Sequence, residues 1–263
     1  MSPTLIPTPQ PSFVSDTAQL AGRHLRLMSR RPSSIIGAIV LPLVFAFLFF
    51  TVLNGVMERA GVDYAQYVIP AVVLQAMFFS AISASVWAAE DASGGMSARL
   101  RSMPISRTAP VLSLLVGELV RALLSLVVLV IAGYGFGFRF ERGAGYVLLF
   151  VALAIGCAAA ACAGYIVLGF AIAKVEQVQA IGGLLYYPLL LVSNLFVPAE
   201  AFPGWLQPLV ENQPVSRIAD ALRAVSTLGH EDLGRTILIA VLWIAGLLTA
   251  FTFLAPRAFG RVR

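Results

Sequence analysis

Residues 32–57 and 64–89 are each 26 residues long and contain no charged side chain. No other feature narrows the possible folds so far. A helix needs about 20 apolar residues to cross the hydrocarbon core of a bilayer. A soluble domain has nowhere to hide two such runs. Four more follow: 108–138, interrupted only by Glu118 and Arg121, then 143–173, 177–199 and 236–256. Trimmed at their polar ends, they predict six transmembrane helices over about 33–56, 65–89, 109–135, 145–172, 178–197 and 236–256. Composition agrees. Charged residues are 12% of the chain, against roughly 25% in an average soluble domain, and the mean hydropathy is +0.88. The expectation is an all-α integral membrane protein.

The polar remainder sorts into two regions, 1–31 and a transmembrane domain over 32–263. Pro3, Pro7, Pro9 and Pro11 mark an extended tail without the charged start and apolar middle of a signal peptide. From residue 13 the pattern becomes helical. Val14, Ala18, Ala21, Leu25 and Met28 line one face, and Asp16, Gln19, Arg23, Arg26 and Arg30 the other. A helix of this kind lies on an anionic leaflet or packs against a partner protein. Six spans place both termini on one side of the membrane. With the N-terminus inside, the inner segments carry 11 Arg or Lys and the outer ones 6. Positive charge favours the cytoplasmic side, so both termini are expected there. The external stretch 198–235 holds four prolines and an apolar stripe (Val215, Ile218, Leu222, Val225), which predict two short helices on or dipping into the outer interface.

The basic balance of +5 is explained by this topology, and no nucleic-acid partner is expected. Chemistry-bearing motifs are scarce. The sole lysine, Lys174, follows alanine, so no phosphate-binding P-loop exists and the chain is not expected to hydrolyse ATP. Neither Cys157 and Cys162 nor His24 and His230 have metal-ligand spacing, and no metal site is expected. Glu118 and Arg121 are three apart on one helix face at membrane depth. They form a self-neutralising packing pair, line a pathway, or snorkel to the interface. Ala152, Gly156, Ala160 and Gly164 recur every four residues, a face suited to close helix packing. Tyr186, Tyr187 and Pro188 interrupt the fifth run. Between spans two and three, Gly94 and Gly95 permit a sharp turn. The stripe Met96, Leu100 and Met103 follows, flanked by Arg99 and Arg101 and closed by Pro104. Exposed Met and Leu are costly in water, so this short helix docks on a partner or lies on the membrane.

Three stretches resemble the ABC-2 family of bacterial ABC-transporter permeases: Ser97 to Arg107 (SARLRSMPISR), Phe202 to Pro208 (FPGWLQP), and Asn212 to Ser216 (NQPVS) leading to Asp220-Ala221-Leu222-Arg223. Residues 135–142 (GFGFRFER) are similar to the daunorubicin/doxorubicin-resistance branch. The resemblance implies a plasma-membrane permease subunit that pairs with a second permease and recruits separate ATPase subunits. ATP and Mg would sit on those subunits, with no cofactor on this chain. It also implies an ATPase-coupling helix built on Gly95, Met96, Arg99, Leu100, Arg101, Met103 and Pro104, and an elbow-like interface helix carrying Arg23, Arg26 and Arg30. The implied cargo is an amphipathic drug, a polyketide or a complex lipid, moved outward. The residues themselves leave two other classes open: a proton-coupled transporter centred on Glu118, and a membrane assembly factor without transport.

Overall fold

The computed structural model describes residues 13–95, 108–229 and 232–261. Among these residues every regular element is helical. In chain order they are α1 (Phe13–Ser29), α2 (Pro32–Arg59), α3 (Tyr64–Ser93), α4 (Ala109–Gly135), α5 (Ala144–Ile172) and α6 (Val175–Leu191). A 3-10 turn (Ala199–Ala201), α7 (Gln207–Asn212), α8 (Pro214–Ser226) and α9 (Leu233–Arg261) complete the fold. Five helices hold segments long and apolar enough to cross a membrane: Ile39–Arg59 within α2, all of α3, α4 and α5, and Leu233–Leu254 within α9.

α3 is the hub. Of its most apolar window 78% is buried, against 11% in α2 and in α9. A helix apolar on all sides and covered on all sides lies at the centre of a bundle. α2 and α9 instead turn large side chains outward, among them Phe47, Val52, Leu242 and Phe253. α3 starts where the Asp63 carboxylate accepts from the backbone N–H of Ala65 (3.1 Å) and Gln66 (3.2 Å), capping donors that have no partner within the helix. Against α3 lies α5, and the two helices approach closely at Gly169. A methyl group there would sit 2.7 Å from Ala88 Cβ and inside the radius of the Ser85 carbonyl oxygen. On its other side α5 meets α9. A Cβ on Gly156 would lie 3.2 Å from Ile244, and one on Gly164 2.9 Å from Phe251. Ala160 is buried on the same helix, while Ala152 is exposed.

The fifth apolar run departs from its expected bounds. Sequence places a span at 178–197, but α6 stops at Leu191 and residues 192–198 are irregular. At 1.5 Å per residue its 17 residues reach about 26 Å, short of the roughly 30 Å of hydrocarbon. The cause is competition for backbone. Gln213 donates to the carbonyls of Leu189 (3.3 Å) and Val192, and Arg223 donates to those of Asn194 (2.9 Å) and Leu195 (2.8 Å). Side chains from α8 and the residue before it thus hold carbonyls that a continuing helix would bond internally. α8 is buried along most of its length, wedged against α3, α5 and α9.

Candidate functional site

The apolar core falls into two clusters. One runs from Tyr64 to Met77 on α3, with Ala122 to Leu129 on α4 and Phe150 to Ala160 on α5. The other holds Ala81 to Ala92 on α3, Val111 and Leu114 on α4, Cys162 to Phe170 on α5, and Met28 from α1. Between them, near the middle of the bundle, lies a polar layer. Glu118 is fully buried and Arg121 is 3% exposed. Arg121 Nη2 lies 2.6 Å from Glu118 Oε2 and donates to the Ser80 carbonyl at 3.1 Å. Ionisable groups at such depth persist only when paired, because desolvation of either alone is costly.

A third member comes from outside the apolar runs. His24, on α1 and 4% exposed, places Nε2 3.5 Å from Glu118 Oε1. Its ring meets Trp87 of α3 edge to face at 4.9 Å. Gly117 makes room for it: a Cβ there would stand 3.0 Å from His24 Nε2 and closer still to Cδ2. α1 is therefore fastened to the bundle by its own buried imidazole. Two further ion pairs tie this corner to the end of α3. Arg23 lies 3.7 Å from Asp91, and Arg31 lies 3.1 Å from Glu90 with its guanidinium 4.8 Å above the Trp87 ring. Arg26 and Arg30 are exposed. The apolar face of α1 is largely the expected one, with Ala21 and Met28 buried. Ala18 is exposed, while Leu20, Leu25 and Leu27 pack on the second cluster beside Met28. Periodicity alone passed over His24, which counts as polar in a hydrophobicity pattern.

Beside this layer a cavity of about 540 Å³ opens between α2, α3 and α6. Arg31, Glu90, Trp87 and Arg121 line its charged part, with Phe79, Ile82 and Gln179 beyond. A second cavity of about 500 Å³ shares Phe79, Ile82 and Gln179 and continues past Leu184 to Tyr187. The two form one groove, charged at one end and apolar with an aromatic rim at the other. Tyr186 turns inward to contact Phe78 and Phe79, and Tyr187 faces outward.

At the other end of the bundle, Arg223 of α8 holds a second network. Its guanidinium stacks over Tyr67 at 3.7 Å, donates to the Tyr67 carbonyl (3.1 Å) and reaches Asp220 Oδ1 (3.2 Å), besides its bonds to Asn194 and Leu195. The Asn194 amide donates to Asp220 at 2.8 Å, and Tyr67 donates its hydroxyl to the Asn194 carbonyl. Residues 139–142 close the far end of α8. Glu141 accepts from Leu228 N (2.7 Å), and Arg142 donates to the Thr227 carbonyl (2.8 Å). Asn194 and Tyr67 carried no sequence signal of their own, whereas Asp220 and Arg223 stood within the family-like stretch.

Gly95 follows α3 with φ +74°, a left-handed turn that glycine adopts freely. Met96, Arg99, Leu100, Arg101, Met103 and Pro104 lie outside the described residues. Among the described residues no group of three or more His, Cys, Asp or Glu could hold a metal ion, and Cys157 and Cys162 are buried free thiols.

The chain matches the family model for ABC-2 type transporters over residues 16–226. It is similar to the daunorubicin resistance ABC transporter permease protein DrrB1 of Streptomyces coeruleorubidus, at 27% identity over 94% of this chain and 86% of that protein. It is similar to two proteins of Mycobacterium tuberculosis as well. The probable doxorubicin resistance ABC transporter permease protein DrrC is 30% identical over 94% of this chain and 90% of the relative. The doxorubicin resistance ABC transporter permease protein DrrB is 31% identical over 86% and 83%. The match from 16 to 226 takes in most of α1, the buried ion cluster, the groove and the Arg223 network, and the chain belongs to the ABC-2 type transporter family.

Proposed function

We propose that this chain is the membrane-spanning permease subunit of an ATP-driven exporter that moves amphipathic drugs, polyketides or complex lipids out across the bacterial plasma membrane. The observation that carries the reading is the groove between α2, α3 and α6. One end offers Arg31 and Glu90, with Arg121 in its wall, and the other offers Phe79, Ile82, Leu184 and Tyr187. That polarity matches a cargo with a polar head and an apolar body. The drug-resistance permeases to which the chain is similar favour the same class of cargo.

In this reading α6 and the irregular residues after it together make a sixth crossing, and both termini are cytoplasmic. A separate ATPase subunit binds ATP and Mg, and a second permease subunit completes the pathway. The segment Gly95 to Pro104 docks on the ATPase. α1, with Arg26 and Arg30 exposed and His24 fixed against Glu118, relays the ATPase's motion to α4. Binding free energy on the ATPase shifts the permease between two arrangements.

The test is efflux of a fluorescent anthracycline from cells lacking their own exporters, with this chain and its ATPase expressed together. Leu100→Asp puts a charge in the apolar stripe of the docking segment. It is expected to abolish efflux while membrane levels stay at those of the unaltered protein. Unchanged efflux from a well-expressed Leu100→Asp protein would sink the coupling assignment.

A further inference from the structure

On the face of the bundle away from the charged groove there is a second, chemically different cavity. It is a slot of about 460 Å³ between α6 and α9, floored by α5 and closed at one end by α8. Its floor is Ala160, Ala161, Gly164 and Ala171, its sides are Leu189 and Phe251, and Ile218 stands at the closed end. From Cys157 to Ala171 the lining runs along α5 for about 21 Å at the α-helical rise. No Asp, Glu, Lys, Arg or His side chain lines it, and the Tyr165 hydroxyl on its wall is already donated to the Gly182 carbonyl at 2.9 Å.

We infer that this slot is a binding site for a single acyl chain of a membrane phospholipid, held lengthwise against α5. The walls are electrically complementary to an uncharged alkyl group and to nothing polar. Ala171 opens the slot at the end of α5, three residues before the exposed Lys174, the only lysine in the chain. A phosphate headgroup at that mouth meets a cation while its tail runs toward Ile218. The slot is longer than the roughly 15 Å depth of one leaflet's hydrocarbon, so the chain lies extended along the helix. Lipid tails outside are as apolar as the walls, so retention comes from packing in the slot. The bound chain fills the gap between α6 and α9 and braces α6, whose opposite face borders the charged groove.

The probe is phosphatidylglycerol with a diazirine midway along one chain, at a few per cent of a phosphatidylcholine vesicle holding the full-length protein. After illumination, adducts are mapped by mass spectrometry. Phe47 and Val52 on α2, 61% and 62% exposed, report ordinary lipid contact. Adducts on α5 from Cys157 to Ala171, and on Leu185 and Leu189, are expected to exceed those on α2 by about threefold, a margin set by packing alone. Ala161→Phe fills the floor, and Leu185→Trp narrows the slot from its α6 side at a position already 51% exposed. Each should return slot labelling to the α2 level and leave α2 unchanged. Equal labelling of slot and α2 in the unaltered protein overturns the inference, as does slot labelling that neither variant lowers. Slot labelling below that of α2 overturns it too, since another protein segment then fills the space. No arm depends on transport.

Discussion

Glu118→Gln tests the buried ion cluster with the smallest possible change in shape. Glu118 is fully buried, 2.6 Å from Arg121 Nη2 and 3.5 Å from His24 Nε2. The substitution removes the negative charge and leaves Arg121 charged at membrane depth. Removing one partner of a buried pair costs about 3–5 kcal/mol. The glutamine oxygen still accepts one hydrogen bond, and a bond to a charged donor is worth about 1.5–3 kcal/mol, so the lower end applies. The expected loss is about 3 kcal/mol, some 150-fold in the unfolding equilibrium. The assay is equilibrium unfolding in mixed micelles of rising dodecyl sulfate fraction, followed by tryptophan fluorescence. Trp87 reports directly, since its ring touches His24. The decisive arm is the double variant Glu118→Gln, Arg121→Gln, which removes both charges. It should recover at least about 1 kcal/mol relative to the sum of the single losses. Full additivity, or a single variant within about 0.5 kcal/mol of the unaltered protein, would refute the reasoning that the pair is mutually stabilising.

Three further outcomes follow from the packing. Gly169→Ala forces a methyl group against the Ser85 carbonyl and Ala88 Cβ, where backbone has to move, and should cost about 1–3 kcal/mol in the same assay. An unchanged midpoint would show that α3 and α5 do not pack this closely. Arg223→Lys keeps the charge but loses the planar fork that bridges the Asn194 and Leu195 carbonyls and stacks on Tyr67. Protease cleavage within 192–198 should become faster in this variant, and equal cleavage rates would contradict a stapled helix end. Gly117→Ala should push the His24 ring out of its notch and release α1, read as faster amide hydrogen exchange over Phe13–Ser29 alone; exchange that stays slow there would contradict the notch.

The bundle was legible in the sequence because charge-free runs longer than a bilayer leave few alternatives. Helix starts near 64, 109 and 144 fell close to their expected places, each beside a cap, a proline or a glycine. The end of α6 was not legible. Hydropathy continues through Leu195 to Val197, and the helix ends because Gln213 and Arg223, distant in sequence, take its carbonyls. The Glu118–Arg121 pair was visible from its i, i+3 spacing, but its third member was not. A histidine on an amphipathic helix gives no sign that it is buried until Gly117 and Trp87 are seen around it. Likewise Ala152 shares the four-residue rhythm of Gly156 and Gly164 yet is exposed, because α9 crosses α5 over only part of that face.

The central claim is that this chain works as the permease of a transporter whose energy comes from another subunit. The most direct measurement is affinity purification of the chain from its native membrane in mild detergent, with quantitative mass spectrometry of what accompanies it. The expected result is a soluble ATPase carrying a P-loop in equal amount, lost with Leu100→Asp. A preparation free of any ATPase, even after crosslinking in the membrane, would contradict the claim and turn attention to a proton-driven cycle at Glu118.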